Sequence, residues 1–234
     1  MRQNLYDLSI WRSRATKLAV LVPCRETIYT VFSASLNGLV KTCTQVGMDV
    51  HVIYDSSTIL LNQRENLAKQ ALSINADYML WLDSDMVFPH STALRLMAHN
   101  KDVVGANYMK RANPLTTVAY TELGQWDSWV PLHSQEELEV VEGVGMGCML
   151  MKTEVLQHIE KPWFSFEYRD ESWHGEDFYF QKKLQEKNIK IHIDMNLSRQ
   201  IRHIGQWAYG PSISTNSEQI TKRMTARVKN DATQ

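Results

Sequence analysis

The run Tyr78-Met79-Leu80-Trp81-Leu82 is apolar, strand-sized and followed at once by Asp83-Ser84-Asp85. A short continuous apolar run fits a strand buried on both faces, as inside a parallel sheet. Such a strand needs neighbours at its edges and helices over its faces, which points the chain toward an α/β layer architecture. In open α/β sheets ligands bind at the carboxyl ends of the strands, where Asp83 and Asp85 emerge. Residues i and i+2 of an extended backbone point the same way, so both acids can face one bound cation. The alternative is a strand followed by an ordinary polar turn, because Asp and Ser are common turn formers.

The flanking segments repeat the construction. Lys17 to Pro23 (KLAVLVP) and Val50 to Tyr54 (VHVIY) read as two more strands. Between them Ile28, Phe32, Leu36, Leu39 and Cys43 recur at helical spacing, predicting a helix of about four turns. Strand, helix, strand predicts a parallel pair with a right-handed crossover. Leu67, Ala68, Ala71 and Leu72 mark a second helix, preceded by Arg64, Glu65 and Asn66. Leu94, Met97 and Ala98 mark a short third helix, and Asp102 to Tyr108 another strand. From Met109 to Glu137 no period is visible, although Trp126 and Trp129 bring apolar area that needs a partner. A loop of this length predicts a mobile flap over the site, with a surface hairpin packed on the core as the alternative.

Gly143, Gly145 and Gly147 lead into Cys148 to Met151, which reads as a strand. A dinucleotide-binding loop would open a helix instead, so these glycines predict close backbone approach to a ligand or a sharp turn. Glu176 and Asp177 open a helix ending at Asn188, where acids also offset the positive end of the helix dipole. Ile189, Ile191, Ile193 and Met195 alternate and predict a half-exposed strand. His203 and Trp207 follow, and from Pro211 the chain turns polar.

With 234 residues, 44% hydrophobic content and a net charge of −1, one compact domain with a large core is expected. That charge gives no global pull toward nucleic acid or anionic membrane. Cys24, Cys43 and Cys148 are odd in number and widely spaced, which suits reduced thiols and not a disulfide framework. No apolar run approaches the ~20 residues of a membrane helix and no signal peptide is apparent, so a soluble cytoplasmic protein is expected.

Asp83 and Asp85, Glu176 and Asp177, and His203 can all reach one sheet edge. Carboxylates with one imidazole suit Mn²⁺ or Mg²⁺ better than zinc, and an ion with so few protein ligands completes its shell with substrate phosphates. The order Asp55-Ser-Ser-Thr, Asp83-Ser84-Asp85, Gly143–Gly147, Gly175-Glu176-Asp177 and His203 resembles the GT-A fold of nucleotide-sugar glycosyltransferases. Trp173-His174-Gly175-Glu176-Asp177 and Ile201-Arg202-His203 are similar to the matching segments of β-galactosyltransferases. The family-2-like members carry Asp-Asp-Gly-Ser after the second strand and Arg-Asn on the next helix, where this chain has Asp55-Ser-Ser-Thr and Arg64-Glu65-Asn66.

The resemblance implies an α/β fold: a single GT-A domain over 17–210, with a Rossmann-like, mostly parallel sheet flanked by helices and a small antiparallel portion. Residues 1–16 would be a lead-in and 211–234 a polar tail or surface helix. It implies Asp85 and His203 as metal ligands with Asp83 assisting, and nucleotide contacts from Pro23, Asp55, Arg64, Asp83 and Ser84. Asp177 would be the catalytic base beside Glu176, and Gly145, Trp173, His174 and Trp126 would touch acceptor or sugar. The expected reaction is inverting, metal-dependent transfer from a UDP-sugar to a glycan, lipid-linked sugar, protein or modified nucleobase. Arg111 or Lys110 could assist at the diphosphate. A glycoside hydrolase using the paired acids, or a non-catalytic sugar- or nucleotide-binding module, are the alternatives. A P-loop enzyme is excluded by the missing Gly-x-x-x-x-Gly-Lys motif.

Overall fold

The computed structural model describes residues 15–112, 115–123, 129–169 and 171–205. Most of the expected lead-in, the whole 211–234 segment and Trp126 lie outside these residues. The chain divides into a compact unit ending at Ile204 and a second unit from Gly205 onward; every element below belongs to the first.

In chain order β1 (Lys17–Pro23), α1 (Thr30–Gln45), β2 (Asp49–Asp55), α2 (Leu60–Ser73) and β3 (Tyr78–Leu82) come first. Then follow β4 (Met86–Val87), α3 (Thr92–Ala98), β5 (Val103–Gly105), β6 (Ala119–Glu122), β7 (Val130–Pro131), β8 (Leu138–Val141) and β9 (Gly143–Val144). Next, β10 (Cys148–Lys152) leads through a 3-10 turn (Thr153–Gln157) to a hairpin of β11 (Glu167–Arg169) and β12 (Ser172–His174). The last elements are α4 (Glu176–Glu186), β13 (Ile191–Asp194), α5 (Met195–Ser198) and β14 (Arg202–His203).

Seven strands form the central sheet in the order β2-β1-β3-β10-β5-β13-β8. β1 runs parallel to β2 and β3, and β13 parallel to β5, while β10 is antiparallel to both β3 and β5. β8 is antiparallel to β13 at one edge. The sheet is therefore mostly parallel and Rossmann-like, with one reversed strand in its middle. That reversal has a consequence for the site: Cys148 at the start of β10 pairs with Leu82 at the end of β3. The glycine segment thus arrives beside Asp83.

Burial explains the pattern. Leu18 to Val22, Met79 to Leu82 and Met149 to Met151 are essentially inaccessible. Phe32, Leu36, Leu39 and Cys43 of α1, and Leu67, Ala68 and Ala71 of α2, turn inward at helical spacing. Trp81 meets Phe164 edge-on at 5.5 Å, and Phe164 stacks on Phe180 at 4.9 Å, joining sheet to α4. All three cysteines are buried free thiols. No helix among the described residues is long and apolar enough to cross a membrane.

Four expectations need correction. α2 begins at Leu60, so Arg64 lies within the helix and not before it; the first turn exposes Leu60 and so carries no apolar stripe to announce it. β5 is only three residues long, because the chain leaves the sheet where Asn107 N donates to Ser198 Oγ. In β13 Ile191 and Ile193 are buried with His192 half-buried between them, as the alternation expects, but the strand stops at Asp194, which is buried as well, and Met195 opens α5. For the expected flap, the described residues of 109–137 instead include β7 and β6, which join β9 in a small antiparallel sheet, with Trp129 packed 4.9 Å from Tyr120 and 4.5 Å from Phe178, while 113–114 and 124–128 lie outside the described residues.

Leu80→Ala, in the middle of the buried β3, should cost about 3 kcal/mol in urea unfolding, as large-to-small core changes do. Val140→Ala, on an exposed edge position, should change stability by less than about 0.5 kcal/mol.

Candidate functional site

Two neighbouring elements are tied together at the carboxyl edge of the sheet by one side chain. Arg64, on α2, is 2% exposed. Its Nε donates to Glu176 Oε1 at 2.9 Å and its Nη2 to Asp83 Oδ1 at 3.3 Å. The guanidinium lies over the Trp81 ring, 5.6 Å from its centroid. Burial alone would favour losing its charge, but Asp83 and Glu176 outweigh it and raise the pKa. Its Nη1 has no partner among the described residues. A buried donor of this kind is an open position for a ligand oxygen.

Asp83 N donates to Gly147 O at 3.1 Å, and Met86 N to Asp83 O at 3.1 Å, so the Asp-Ser-Asp turn is fixed at both ends. Burial, with Asp85 and Glu176 nearby, pushes the Asp83 carboxyl up against the pull of Arg64. Ser84 is half-buried in the turn.

Asp85 faces a different set. His203 Nε2 lies 3.4 Å and Arg111 Nη1 3.0 Å from its Oδ2. β14 pairs with β4, placing His203 opposite Met86, and Ile204 N donates to Asp85 O at 2.8 Å. Burial pushes the Asp85 carboxyl up, yet His203 and Arg111 together hold it below the usual range. The bond to Asp85 raises the His203 pKa. His203 Nδ1 lies 2.9 Å from Met109 O, which can only accept, so Nδ1 carries hydrogen and Nε2 is the atom presented to Asp85.

That arrangement bears on a metal. Among the described residues no group of three or more His, Cys, Asp and Glu side chains is placed to hold one alone. Asp85 and His203 do present two ligand atoms toward each other, with the imidazole tautomer fixed from behind as in metal-binding histidines. A neutral Nε2 facing a carboxylate oxygen leaves two lone pairs opposed, which requires a proton or a cation between them. The raised His203 pKa supplies that proton in this structure, and a hard or borderline divalent ion with its other ligands from outside the protein would take the proton's place between the same two atoms.

Sequence reasoning missed Tyr108. Its buried hydroxyl accepts from Gly147 N at 2.9 Å, and its ring meets His203 edge-on at 5.3 Å. A Cβ on Gly145 or Gly147 would lie 2.6 or 2.5 Å from that hydroxyl oxygen, and one on Gly147 would also lie 3.0 Å from Asp83 Oδ2. The glycines thus make room for a phenol of the protein itself. No motif could have signalled this pairing across 39 residues.

Glu176 and Asp177 separate into two roles. Glu176 is 6% exposed and committed to Arg64. Asp177 is half-buried, and its Oδ1 accepts from Phe178 N at 2.8 Å. Burial, reinforced by Glu176 and Asp83 against the pull of Arg64, raises the Asp177 carboxyl to about 7. A carboxyl tuned near neutrality is what proton transfer at ordinary pH needs.

The remaining residues spread outward. Pro23 and Asp55 are aligned at the ends of β1 and β2. Asp55 accepts from Ser57 N at 2.9 Å and Asn66 Nδ2 at 3.1 Å, bonds that outweigh burial and lower its pKa. Next to Ser57 and Asn66 opens a cleft of about 670 Å³ lined by Ser57, Asn62, Glu65, Asn66, Lys69, Lys161 and Pro162; none of Asp83, Asp85, Asp177 and His203 lines it. Trp173 is exposed and His174 buried near Trp129, their rings 5.9 Å apart. Gly145 is buried between Tyr108 and Val118.

No protein-family model matches the chain. No curated protein matches it. Among solved structures it is similar to A197 from STIV, with a TM-score of 0.56, 18% identity, and 82% of this chain and 86% of that one covered. The shared fold is mixed α/β, with a mostly parallel seven-stranded central sheet flanked by helices. Weaker likenesses are to a Drosophila β-1,4-galactosyltransferase 7 mutant solved with manganese, UDP-Gal and xylobiose (TM-score 0.47, 13% identity, covering 86% and 79%). Another is to a nucleoside-diphosphate-sugar pyrophosphorylase from Vibrio cholerae (TM-score 0.43, 10% identity, covering 85% and 98%).

The raised Asp177 carboxyl carries a stability cost with a definite sign. The folded protein holds this proton more tightly than the unfolded chain, so Asp177's own contribution to stability is fully present below about pH 4 and is lost as pH rises through about 7. Asp177→Asn should therefore raise the melting temperature at pH 8 by about a few degrees and change it much less at pH 4.5. Thermal melts of both proteins at the two pH values check this.

Proposed function

We propose that the chain is a glycosyltransferase that moves a sugar from a nucleoside-diphosphate donor, with UDP-sugars preferred, to an acceptor hydroxyl with inversion. The observation that carries this reading is the approach of His203 Nε2 to Asp85 Oδ2 at 3.4 Å, in the same cluster where Arg64 joins Asp83 to Glu176. The order of motifs along the sequence and the mostly parallel α/β sheet with its acids at the strand ends support it.

In this reading Pro23 and Asp55, aligned at the ends of β1 and β2, meet the nucleoside. Asp83 and Ser84 meet the ribose. Arg64 Nη1 supplies a buried donor to a donor-substrate oxygen, and Asp85 with His203 holds Mn²⁺ or Mg²⁺. When bound, the divalent ion neutralises charge on the departing diphosphate. Arg111, now on Asp85, is positioned to turn to a phosphate once that carboxylate is otherwise engaged.

Asp177 accepts the proton of the acceptor hydroxyl. The acceptor oxygen bonds to the anomeric carbon from the face opposite the diphosphate, the bond from that carbon to the diphosphate oxygen breaks, and the nucleoside diphosphate leaves. Glu176, locked on Arg64, holds the start of α4 and so aims Asp177; it positions and does not exchange the proton. Gly175 fits this role, because a Cβ there would lie 2.8 Å from Asp177 Oδ1 and push the carboxylate aside.

Hydrolysis of a panel of nucleotide sugars, with Mn²⁺ and with chelator, tests the reading. A UDP-sugar should turn over with Mn²⁺ and stop with chelator. With its acceptor supplied, Asp177→Asn should lose transfer by about 10³-fold, within the range for a general base, while nucleotide affinity changes less than about threefold. Turnover indifferent to chelator, or full transfer by Asp177→Asn, would remove the metal or the base from the account.

A further inference from the structure

His203 lies one residue from the end of the compact unit, and its own strand holds it weakly. β14 has two residues, paired with the two of β4, and such a ladder gains little stability by itself. The segment that delivers the histidine is α5, four residues long and too short to stand as a helix alone. Two groups hold that turn. Asp194 caps it: its Oδ1 accepts from Leu197 N at 2.7 Å, and its Oδ2 lies 3.1 Å from His99 Nε2, just past α3. Ser198, half-buried in the same turn, donates from Oγ to Asp194 O and accepts at Oγ from Asn107 N at 2.8 Å.

Asn107 stands where the chain has just left the sheet. The ladder between β5 and β13 ends at Gly105 opposite Ile193, and the bond from Asn107 N to Ser198 Oγ lies beyond it. The Asn107 side chain ties in the returning limb, its Oδ1 accepting from Ala119 N at 3.2 Å and from Thr117 Oγ1. Tyr108 and Met109 follow at once: the Tyr108 ring meets the His203 ring, and Met109 O takes its Nδ1–H. The Ser198–Asn107 bond therefore joins two stretches 91 residues apart in sequence. One carries the imidazole and the other carries the carbonyl that orients it. Only a hydroxyl fills the junction, because the same atom must donate to a backbone carbonyl and accept from a backbone N–H.

We propose that Ser198 is a positioning residue for the metal-binding imidazole: bridging Asp194 O and Asn107 N, it holds His203 and Met109 O in one frame, so that Nε2 faces Asp85. The proposal rests on the metal assignment in the glycosyl-transfer reading above, and it names a residue that touches neither ion nor substrate. Without the hydroxyl, α5 and the segment after β5 shift independently. The bond from His203 Nδ1 to Met109 O then opens, and the ring is free to turn away from Asp85. Groups that orient a metal-binding imidazole from behind are worth about 10–100-fold in metal affinity.

The test compares the full wild-type chain with Ser198→Ala, Ser198→Thr and a stability control, Val155→Ala, a buried position in the 3-10 turn beyond the far end of β10. Manganese EPR titration with MnCl₂, with and without UDP, reads metal affinity. Imidazole NMR of the metal-free protein reads the His203 Nδ1–H. Ser198→Ala should weaken Mn²⁺ binding at least about tenfold and lose the Nδ1–H signal to exchange with water. Ser198→Thr, whose hydroxyl can bond the same i−4 carbonyl, should match the wild type in both. Val155→Ala should melt earlier yet bind Mn²⁺ as the wild type does. Ser198→Cys, with a far weaker donor and acceptor of similar size, serves if Ser198→Ala melts too early to measure. Undiminished Mn²⁺ affinity or a retained Nδ1–H signal in Ser198→Ala, no rescue by Ser198→Thr, or an equal loss in Val155→Ala would overturn the proposal. No Mn²⁺ bound by the wild type would sink the metal assignment instead, and the Nδ1–H signal would then decide the positioning role alone.

Discussion

A single buried guanidinium sets the geometry of this protein. Arg64 reaches from α2 to Asp83 at the tip of β3 and to Glu176 at the start of α4, with Trp81 beneath it. Such a triad adds little net stability, because removing the charges from water offsets most of their attraction. Breaking it is another matter: loss of one member strands the others and costs about 3–5 kcal/mol. The arrangement is therefore a device for position. It fixes Asp83 on one side and, through Glu176, fixes Asp177 on the other, where burial, with Glu176 and Asp83 adding to it, raises the Asp177 carboxyl toward neutrality.

The fold brings the remaining parts to this point through one topological choice. β10 runs against β3 and β5, so its leading glycines reach the same sheet edge as the Asp-Ser-Asp turn. Gly145 and Gly147 leave space for Tyr108, whose hydroxyl takes the Gly147 N–H and whose ring supports His203. β14 then pairs with β4 and sets His203 against Asp85. Side chains from five separated stretches of chain converge here: Arg64 from α2, Asp83 and Asp85 from the end of β3, Tyr108 and Arg111 from the segment after β5, Glu176 and Asp177 from α4, and His203 from β14.

Much of this was legible in the residues. The apolar runs of β1 and β3 announced a sheet because continuous burial leaves no room for polar residues, and the acids at the end of β3 stood out against that background. The helix of Glu176 and Asp177 was equally plain. Other features left no local trace. The reversed direction of β10 cannot be read from Cys148 to Lys152, since a strand buried on both faces looks the same either way. Arg64 looked like a residue before a helix, and its burial depends on two carboxylates 19 and 112 residues away. Nothing local to Arg111 pointed to Asp85, 26 residues earlier and 3.0 Å from it. Tyr108 gave no signal because its partners are backbone and glycine.

The central claim is that Asp85 and His203 share one divalent ion at the edge that Arg64 organises. Anomalous diffraction from crystals soaked with MnCl₂ and UDP tests it most directly. The account predicts a manganese peak bonded to both Asp85 Oδ2 and His203 Nε2, at about 2.0–2.3 Å from each, with diphosphate oxygens completing the shell and Arg111 moved off Asp85. A peak elsewhere, or UDP bound with no manganese between Asp85 and His203, would contradict it.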